Sequence, residues 1–314
     1  MSATQLKLIA GGLVLLLLLW GGSALFSRGS DSVRGSLDLR APAQTDVDSI
    51  TIVKASDTIA LARQSASDWT VNGHRAALAS VTELFQALRD TVHPELVAQD
   101  SSSFTRLQVD SAGGRRLRLR GGRGGKPLLE LIVGTRPTDF QSAYVRRPGD
   151  NHVYLWRGQL GGLVDRTLDD WRDKRIAALA PDSIAAVEVV RGKDRYALTR
   201  VGKTWKVNGG ATDSGAVARY LERLKAITAT GFATPRESDS TRTARPARRL
   251  AVRSARGVLL SLAFDSTAGA FLARHLAGTG GEGATVYRMN VWDVDGVSPA
   301  GRSLMPTKPM PTKK

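Results

Sequence analysis

The side chains of this chain that could bind a metal do not have the spacing of a known metal site. The four histidines are His74, His93, His152 and His275. No two of them are separated as in the H-x-x-H or H-E-x-x-H ligand pairs of zinc sites. Cysteine is absent, which also excludes disulfides, thiolate ligands and a cysteine nucleophile. We therefore predict no metal and no cofactor.

Two acidic clusters could carry acid–base or calcium chemistry, but each has a simpler interpretation. Asp169, Asp170 and Asp173 are interleaved with arginines, and opposite charges three residues apart on a helix form surface ion pairs. Asp293 and Asp295 resemble half of a calcium loop that lacks its bidentate glutamate. No serine stands in a G-x-S-x-G nucleophile elbow. With no catalytic constellation in the sequence, we predict that the protein is not an enzyme.

The densest basic segment is a candidate anion-binding surface. It comprises Arg115, Arg116, Arg118, Arg120, Arg123 and Lys126, in a chain of net charge +16. Its glycines do not form a phosphate-binding loop, because Pro127 takes the place of the hydroxyl residue that must follow Lys126. Interleaved aromatic residues are missing, so we predict no nucleic-acid partner. The alternatives are anionic lipid, an acidic envelope polymer, or an arginine-rich composition without a binding role.

A pentapeptide that occurs twice indicates how the chain is organised. Trp69-Thr70-Val71-Asn72-Gly73 returns as Trp205-Lys206-Val207-Asn208-Gly209. The Asn-Gly pair is typical of a tight reversal, because both residues tolerate positive φ. The shared residues are Trp69, Asn72, Gly73, Trp205, Asn208 and Gly209. We predict that they are architectural and that each tryptophan packs on the helix that follows it.

Apolar residues at equal offsets follow both tryptophans, which indicates an internal duplication. Val81, Leu84, Phe85 and Leu88 are matched by Val217, Tyr220, Leu221 and Leu224, all at helical spacing. Alternating segments such as 49–53 and 116–120 predict strands. The predicted fold is α+β: an N-terminal transmembrane helix, then two tandem repeats of antiparallel strands with a packed amphipathic helix. Residues 159–175 are predicted to be helical, and residues 235–248 a surface loop.

The N-terminal segment predicts a membrane protein. From Leu8 to Phe26 no residue is charged, and as a helix this length spans about 28 Å, close to the hydrocarbon thickness of a bilayer. A cleaved signal peptide is the alternative. The predicted domains are the anchor at 1–27, a linker at 28–47, repeats at 48–178 and 179–300, and a disordered Pro/Lys tail at 301–314. We predict a single pass through a bacterial inner membrane, with most of the chain on the extracytoplasmic, periplasmic side.

The combination of anchor, strand pair, W-x-V segment, Tyr-Val-Arg hairpin and Leu-rich helix resembles the bacterial family catalogued as domain of unknown function 4340. The resemblance covers roughly residues 48–300, and its most specific part is the segment from Trp171 to Ile176. Members of that family are similar to auxiliary components of ABC transporters of the gliding-motility type. The resemblance implies an accessory role at the cell envelope, and it implies no catalytic residue.

Two functions from different classes are consistent with these observations. The first is a non-catalytic accessory or scaffold subunit of an envelope ABC transport or motility-type assembly, which binds protein partners and no small-molecule substrate. The second is a binding module for anionic lipid or acidic polymer through the arginine-rich strands.

Overall fold

The structure is a computed structural model that describes residues 37, 40–55, 57–89, 94–122, 125–137, 141–243, 245–276 and 285–306. Its contacts divide the chain into two compact units. Unit 1 comprises Met1–Ser67 and Ala79–Arg166, and unit 2 comprises Asp68–Leu78 and Thr167–Lys314. Strands account for 42% of the described residues and helices for 26%.

The strands and helices alternate along the chain. The strands are β1 (Ser49–Val53), β2 (Thr58–Arg63), β3 (Trp69–Val71), β4 (His74–Arg75), β5 (Glu95–Ala98), β6 (Arg115–Gly121), β7 (Lys126–Val133), β8 (Ser142–Arg146), β9 (Val153–Arg157), β10 (Arg175–Ala178), β11 (Ala186–Arg191), β12 (Asp194–Val201), β13 (Thr204–Val207), β14 (Ala226–Thr228), β15 (Gly231–Phe232), β16 (Arg248–Ser254), β17 (Gly257–Thr267), β18 (Ala270–His275) and β19 (Val286–Asn290). The α-helices are α1 (Leu78–Arg89), α2 (Phe104–Leu107), α3 (Leu160–Asp165), α4 (Leu168–Trp171), α5 (Ser214–Leu224), α6 (Pro235–Thr243) and α7 (Val291–Val297). Short 3-10 helices span Gln44–Asp46, Ser101–Ser103, Pro181–Ser183 and Gly301–Leu304.

Unit 1 is built on an antiparallel sheet in which seven strands follow the order β2-β1-β6-β7-β8-β9-β5. In β6 the alternation of leucine and arginine sets the face of each side chain, since successive residues of a strand point to opposite sides. Leu117 and Leu119 are fully buried, while Arg116 and Arg118 remain partly in solvent. The central pair β1–β6 is held in register by Ile50 opposite Leu119 and Ile52 opposite Leu117.

Unit 2 contains an antiparallel sheet of eight strands in the order β13-β12-β11-β16-β17-β18-β19-β15. Seven of them, β12-β11-β16-β17-β18-β19-β15, therefore repeat the strand order of unit 1 one for one. Two further antiparallel pairs, β3–β4 and β10–β14, also belong to this unit. The core of unit 2 lies on one face of the large sheet, where Val189, Leu250, Leu262 and Phe264 meet the buried face of α5.

Helices α4, α5 and α7 begin at residues whose side chains accept hydrogen bonds from the first N–H groups of the helix. Asp213 accepts a hydrogen bond from Ala216 N at the start of α5, and Asn290 accepts one from Asp293 N at the start of α7. At α4 the side chains of Thr167 and Asp170 form a capping box. These caps define the residue at which each of the three helices starts.

The predicted α+β class, with two tandem repeats of antiparallel strands and a packed amphipathic helix, is wrong. The chain is mostly β, with two large antiparallel sheets and helices of twelve residues or fewer among the described residues. Apolar stripes at helical spacing give a strong sequence signal, whereas a strand such as β12 carries Thr, Ala and Arg and gives a weak one. The helical content is therefore overestimated from the sequence.

The predicted membrane topology also requires correction. None of the helices among the described residues is both long enough and apolar enough to cross a membrane. The predicted transmembrane segment, from Leu8 to Phe26, lies outside the described residues. The single-pass topology and the inner-membrane location are not supported.

Three local predictions differ from the structure for identifiable reasons. The helix predicted at 159–175 is two short helices, α3 and α4, because the chain is extended at Arg166 and Thr167 before β10 follows. The loop predicted at 235–248 contains α6, which starts with a proline at a position that needs no N–H donor. Gly301–Leu304, assigned to the tail, is a 3-10 helix that buries Leu304, and residues 307–314 lie outside the described residues.

The first turn of α6 contains a carboxylate that should make the stability of the protein sensitive to acid. Glu237 accepts hydrogen bonds from Thr234 N at 2.8 Å and from Arg288 Nη2 at 2.5 and 2.6 Å. These bonds, with the Thr234 hydroxyl, lower the pKa of Glu237 from 4.5 to about 2. A depressed pKa stabilises the folded state above pH 4.5, and this contribution is lost as the pH falls from 4.5 towards 2.

We predict that Glu237→Gln loses less stability than the wild type when the pH falls from 5 to 2. Urea denaturation across this range measures the difference. Glu222→Gln is the matched control, because Glu222 pairs with Lys225 on an exposed helix face. Parallel curves for the wild type and Glu237→Gln would contradict the assignment.

Candidate functional site

Three of the four β6 arginines that were predicted to bind anions have acidic partners. Arg115 Nε lies 2.7 Å from Asp165 Oδ1. Arg118 and Arg116 share Glu130, with Nε–Oε1 distances of 2.8 and 3.6 Å. Each of these pairs offsets a positive charge that an external anion would otherwise meet.

Arg120 and Lys126 of the basic segment lie near the facing ends of β6 and β7. Gly121 and Lys126 are cross-strand partners, so the glycines connect two strands and do not lead into a helix as a phosphate-binding loop would. Arg120 and Lys126 are exposed, and Arg123 lies outside the described residues.

Both Asn-Gly pairs make the same reversal. Asn72 and Asn208 have φ values of 46° and 48°, and Gly73 and Gly209 both have φ of 81°. Positive φ at two successive residues is the geometry of a tight hairpin turn, which Asn and Gly adopt at least cost. In unit 2 the Asn208 side chain also accepts a hydrogen bond from Ala197 N at 2.9 Å.

The two tryptophans of the pentapeptide have different environments. Trp69 is 1% exposed and belongs to the interior of the protein. Trp205 is only partly buried and packs against the core of unit 2 with part of its ring in solvent. The repeat therefore predicts the turn correctly for both copies but does not predict that one ring remains accessible.

The accessible ring of Trp205 lines an open cavity of about 530 Å³, which we call the Trp205 groove. Its lining residues are Lys203, Thr204, Trp205, Lys206, Ala211, Thr212, Ser214, Val217, Ala218 and Leu221. Strand β13 forms one wall and α5 the other. The hydroxyl of Thr212 donates to Trp205 O at 2.8 Å and fixes the segment that joins them. The result is an apolar floor with two lysines beside it.

A second cavity of about 400 Å³, which we call the Arg172 pocket, lies around the segment after α4. Its lining residues are Asp68, Thr70, Arg75, Arg172, Asp173, Arg175, Ile176, Phe232 and Tyr287. Main-chain hydrogen bonds join its walls: Asp173 N donates to Arg75 O at 2.9 Å, and Ala77 N donates to Trp171 O at 2.7 Å. Phe232 and Tyr287 are cross-strand partners on β15 and β19.

The charged side chains of the Arg172 pocket are held in fixed positions. The guanidinium of Arg172 lies over the Phe232 ring, with Cζ 3.4 Å from the ring centroid. Asp173 accepts hydrogen bonds from Arg175 N at 3.0 Å and from Arg175 Nη2 at 3.1 Å. A ring and a carboxylate thus orient two of the three arginines in the lining.

The other residues considered for metal or acid–base chemistry have separate positions. Asp295 Oδ1 accepts from Arg248 Nη1 at 2.6 Å and from Arg191 Nη2 at 3.1 Å. His152 Nδ1 lies 2.7 Å from Asp150 Oδ1, and His93 lies outside the described residues. In the part of the chain that the structure describes, no group of three or more His, Asp or Glu residues could hold a metal ion.

Sequence reasoning missed both cavities because their residues come from distant segments. The Arg172 pocket combines residues from four parts of the chain, and no periodicity or spacing connects Arg75 with Phe232. A signal was present for each cavity, since Trp205 belongs to the repeated pentapeptide and Arg172 to the segment that carries the family resemblance. Neither signal indicates which side chains border on open space.

The fold and these cavities define a mostly β protein with two sheets of matching strand order and two recesses in unit 2. The chain belongs to the family described as Domain of unknown function (DUF4340), whose model matches residues 69–246. The match begins at Trp69 and includes the segment from Trp171 to Ile176. No curated protein and no solved structure matches the chain.

Proposed function

We propose that the protein is a non-catalytic accessory or scaffold subunit of an ABC transport or motility-type assembly, and that it holds a protein partner in the Trp205 groove. The observation that carries the proposal is the partly exposed ring of Trp205 above an apolar floor. Family membership supports the assignment to such an assembly through the resemblance of family members to transporter auxiliary components.

The groove favours a protein segment over a polar small molecule. Val217, Ala218 and Leu221 offer an apolar helix face, and the indole of Trp205 supplies a large rigid contact. Tryptophan is enriched among the residues that dominate binding energy at protein interfaces, where it lies in a partly enclosed apolar site. An apolar side chain of a partner would displace water from this floor.

The charges beside the groove define the chemistry of the partner segment. Lys206 follows Trp205 on β13, and Lys203 immediately precedes that strand. Both lysines are exposed at the groove. Complementary charge across an interface selects the partner and its register. The expected occupant is a segment with apolar anchors flanked by aspartate or glutamate.

A direct test uses a synthetic peptide with two leucines flanked by glutamates, and the same peptide with lysines in place of the glutamates. The acidic peptide should shift the indole N–H signal of Trp205 in 15N NMR spectra, and Trp205→Phe identifies that signal. Lys203→Glu or Lys206→Glu should each weaken binding by up to about fivefold, the scale of an exposed ion pair. Equal binding of both peptides, or no shift at Trp205, would rule out the groove as the site.

The assignment to an assembly needs a second experiment. The tagged protein and its Trp205→Ser variant are purified from gently lysed cells of the native host, and the co-purified proteins are identified by mass spectrometry. Recovery of transport or motility subunits with the wild type, and their loss with Trp205→Ser, is the expected result. Recovery of the same subunits with the wild type and with Trp205→Ser would show that the groove is not their binding site. Recovery of no such subunit would contradict the accessory role.

A further inference from the structure

We infer that the Arg172 pocket binds a small organic anion, in which a carboxylate or phosphate is joined to an apolar or aromatic body. The inference is independent of the Trp205 groove, with which the pocket shares no lining residue. It rests on the size of the pocket, on the way its arginines are held, and on the apolar surface beside them.

The pocket has the dimensions of a ligand site and a preformed backbone. Its volume of about 400 Å³ falls within the roughly 300–1,000 Å³ that small-molecule sites occupy. Besides the bonds that join β4 to the 171–173 segment, Ala229 N donates to Lys174 O at 2.7 Å and Thr230 N donates to Arg288 O at 2.9 Å. A ligand would therefore meet walls that are already ordered, which reduces the entropic cost of binding.

Arg172 is the central cationic group of the pocket. Its side chain is 11% exposed, so the charge is largely removed from water, and Asp169 Oδ1 lies 3.6 Å from its Nη1. The N–H donors of a guanidinium lie along its edge. Stacking on Phe232 orients the plane of the group, and the cation–π contact offsets part of the cost of burial.

The charges in the lining favour an anion. Three arginines and two aspartates border the pocket, and Asp169, outside the lining, lies 3.6 Å from Arg172 Nη1. Asp173 is occupied by Arg175, and Asp68 is exposed, so it remains in water. Guanidinium groups bind carboxylate and phosphate through paired hydrogen bonds, with a geometry that lysine does not provide.

The apolar part of the lining selects the body of the ligand. Ile176, Phe232 and Tyr287 are buried residues of unit 2 that border the cavity beside the arginines. A bare inorganic ion would leave this surface in contact with water. A ring or short aliphatic body attached to the anionic group would cover it, and burying a phenyl ring strengthens binding by about tenfold or more.

The experiment compares four probes on the full chain: benzoate, phenyl phosphate, acetate and inorganic phosphate. Binding is followed by 15N NMR of the backbone amides of residues 171–176. At least one aromatic anion should produce a saturable shift and bind about tenfold or more tightly than its bare counterpart. Stronger binding of benzoate would assign a carboxylate ligand, and stronger binding of phenyl phosphate would assign a phosphate.

The variants separate a binding role of Arg172 from a purely structural one. Arg172→Gln should weaken binding of the aromatic anion by about tenfold or more, because it removes a charged hydrogen-bond donor. Arg75→Gln is a second variant, which removes another arginine of the pocket. Arg75 is an exposed residue of β4, so this variant leaves the stacking of Arg172 on Phe232 in place. Arg256→Gln, on the exposed turn between β16 and β17, is a matched control that should bind like the wild type.

Three results would overturn the inference. One is the absence of saturable binding for all four probes, and another is equal affinity for the aromatic and bare anions. The third is binding by Arg172→Gln and Arg75→Gln that equals binding by Arg256→Gln.

Discussion

Trp69→Ala should lower the free energy of unfolding by about 3–5 kcal/mol, whereas Trp205→Ala should lower it by about 1–2 kcal/mol. The two residues occupy the same place in the pentapeptide, but Trp69 is 1% exposed and Trp205 keeps part of its ring in solvent. Removing a fully buried indole loses its transfer free energy and leaves a cavity. Removing a partly exposed indole loses less, because water already contacts the ring.

Urea denaturation followed by far-ultraviolet circular dichroism measures both changes without depending on tryptophan fluorescence. Trp292→Ala is the control, since Trp292 is 84% exposed and its removal should change stability by less than about 0.5 kcal/mol. Equal losses for Trp69→Ala and Trp205→Ala would show that both rings are core residues, and would weaken the case for the Trp205 groove as a binding surface.

Asp295→Ala should destabilise the protein by about 2–3 kcal/mol, which is less than the 3–5 kcal/mol expected for a fully buried pair. The Arg248 side chain is 9% exposed and its Nη1 lies 2.6 Å from Asp295 Oδ1, while the Asp295 side chain is 37% exposed. Removing Asp295 leaves the buried charge of Arg248 without this carboxylate, and it also removes the contact with Arg191.

The double variant Arg248→Met/Asp295→Asn should recover most of that loss. Methionine fills the space of the arginine stem without a charge, and replacing a buried ion pair with apolar residues is often neutral. Glu188→Ala is the control, because Glu188 pairs with Arg253 on an exposed sheet face and its loss should cost less than about 1 kcal/mol. If the double variant is less stable than Asp295→Ala, the loss in Asp295→Ala is not explained by the unbalanced charge of Arg248. The ion pair would then contribute stability of its own.

Features with a short-range physical cause could be predicted from the sequence. The Leu/Arg alternation of β6 predicts which side chains are buried, because the two faces of a strand are separated by single residues. The Asn-Gly pairs predict the reversals, because the φ preference is a property of the two residues themselves. Val81 and Val217, which stand at equal offsets from the two tryptophans, are both buried.

Features that depend on distant residues could not be predicted. Phe85 and Leu221 occupy matching positions on α1 and α5, yet Phe85 is fully buried and Leu221 borders a groove. The difference between an enclosed and an accessible tryptophan depends on packing around the whole ring. The Arg172 pocket similarly forms only where β15 and β19 approach the 171–176 segment. This approach is determined by the topology of the sheet and cannot be read from local periodicity.

The strand order shared by the two sheets affects how each sheet can form during synthesis. Strand β5 precedes β6 in the chain but pairs with β9, the last strand of its sheet, and β15 pairs with β19 in the same way. During synthesis, β5 and β15 therefore leave the ribosome well before their partners β9 and β19. Such non-local pairings slow folding. Both strands are short, with two residues in β15 and four in β5. The first residue of β5 is the charged Glu95. Short edge strands offer little template for pairing between nascent chains, and the charge of Glu95 adds to this in β5, so the topology limits misassembly during the delay.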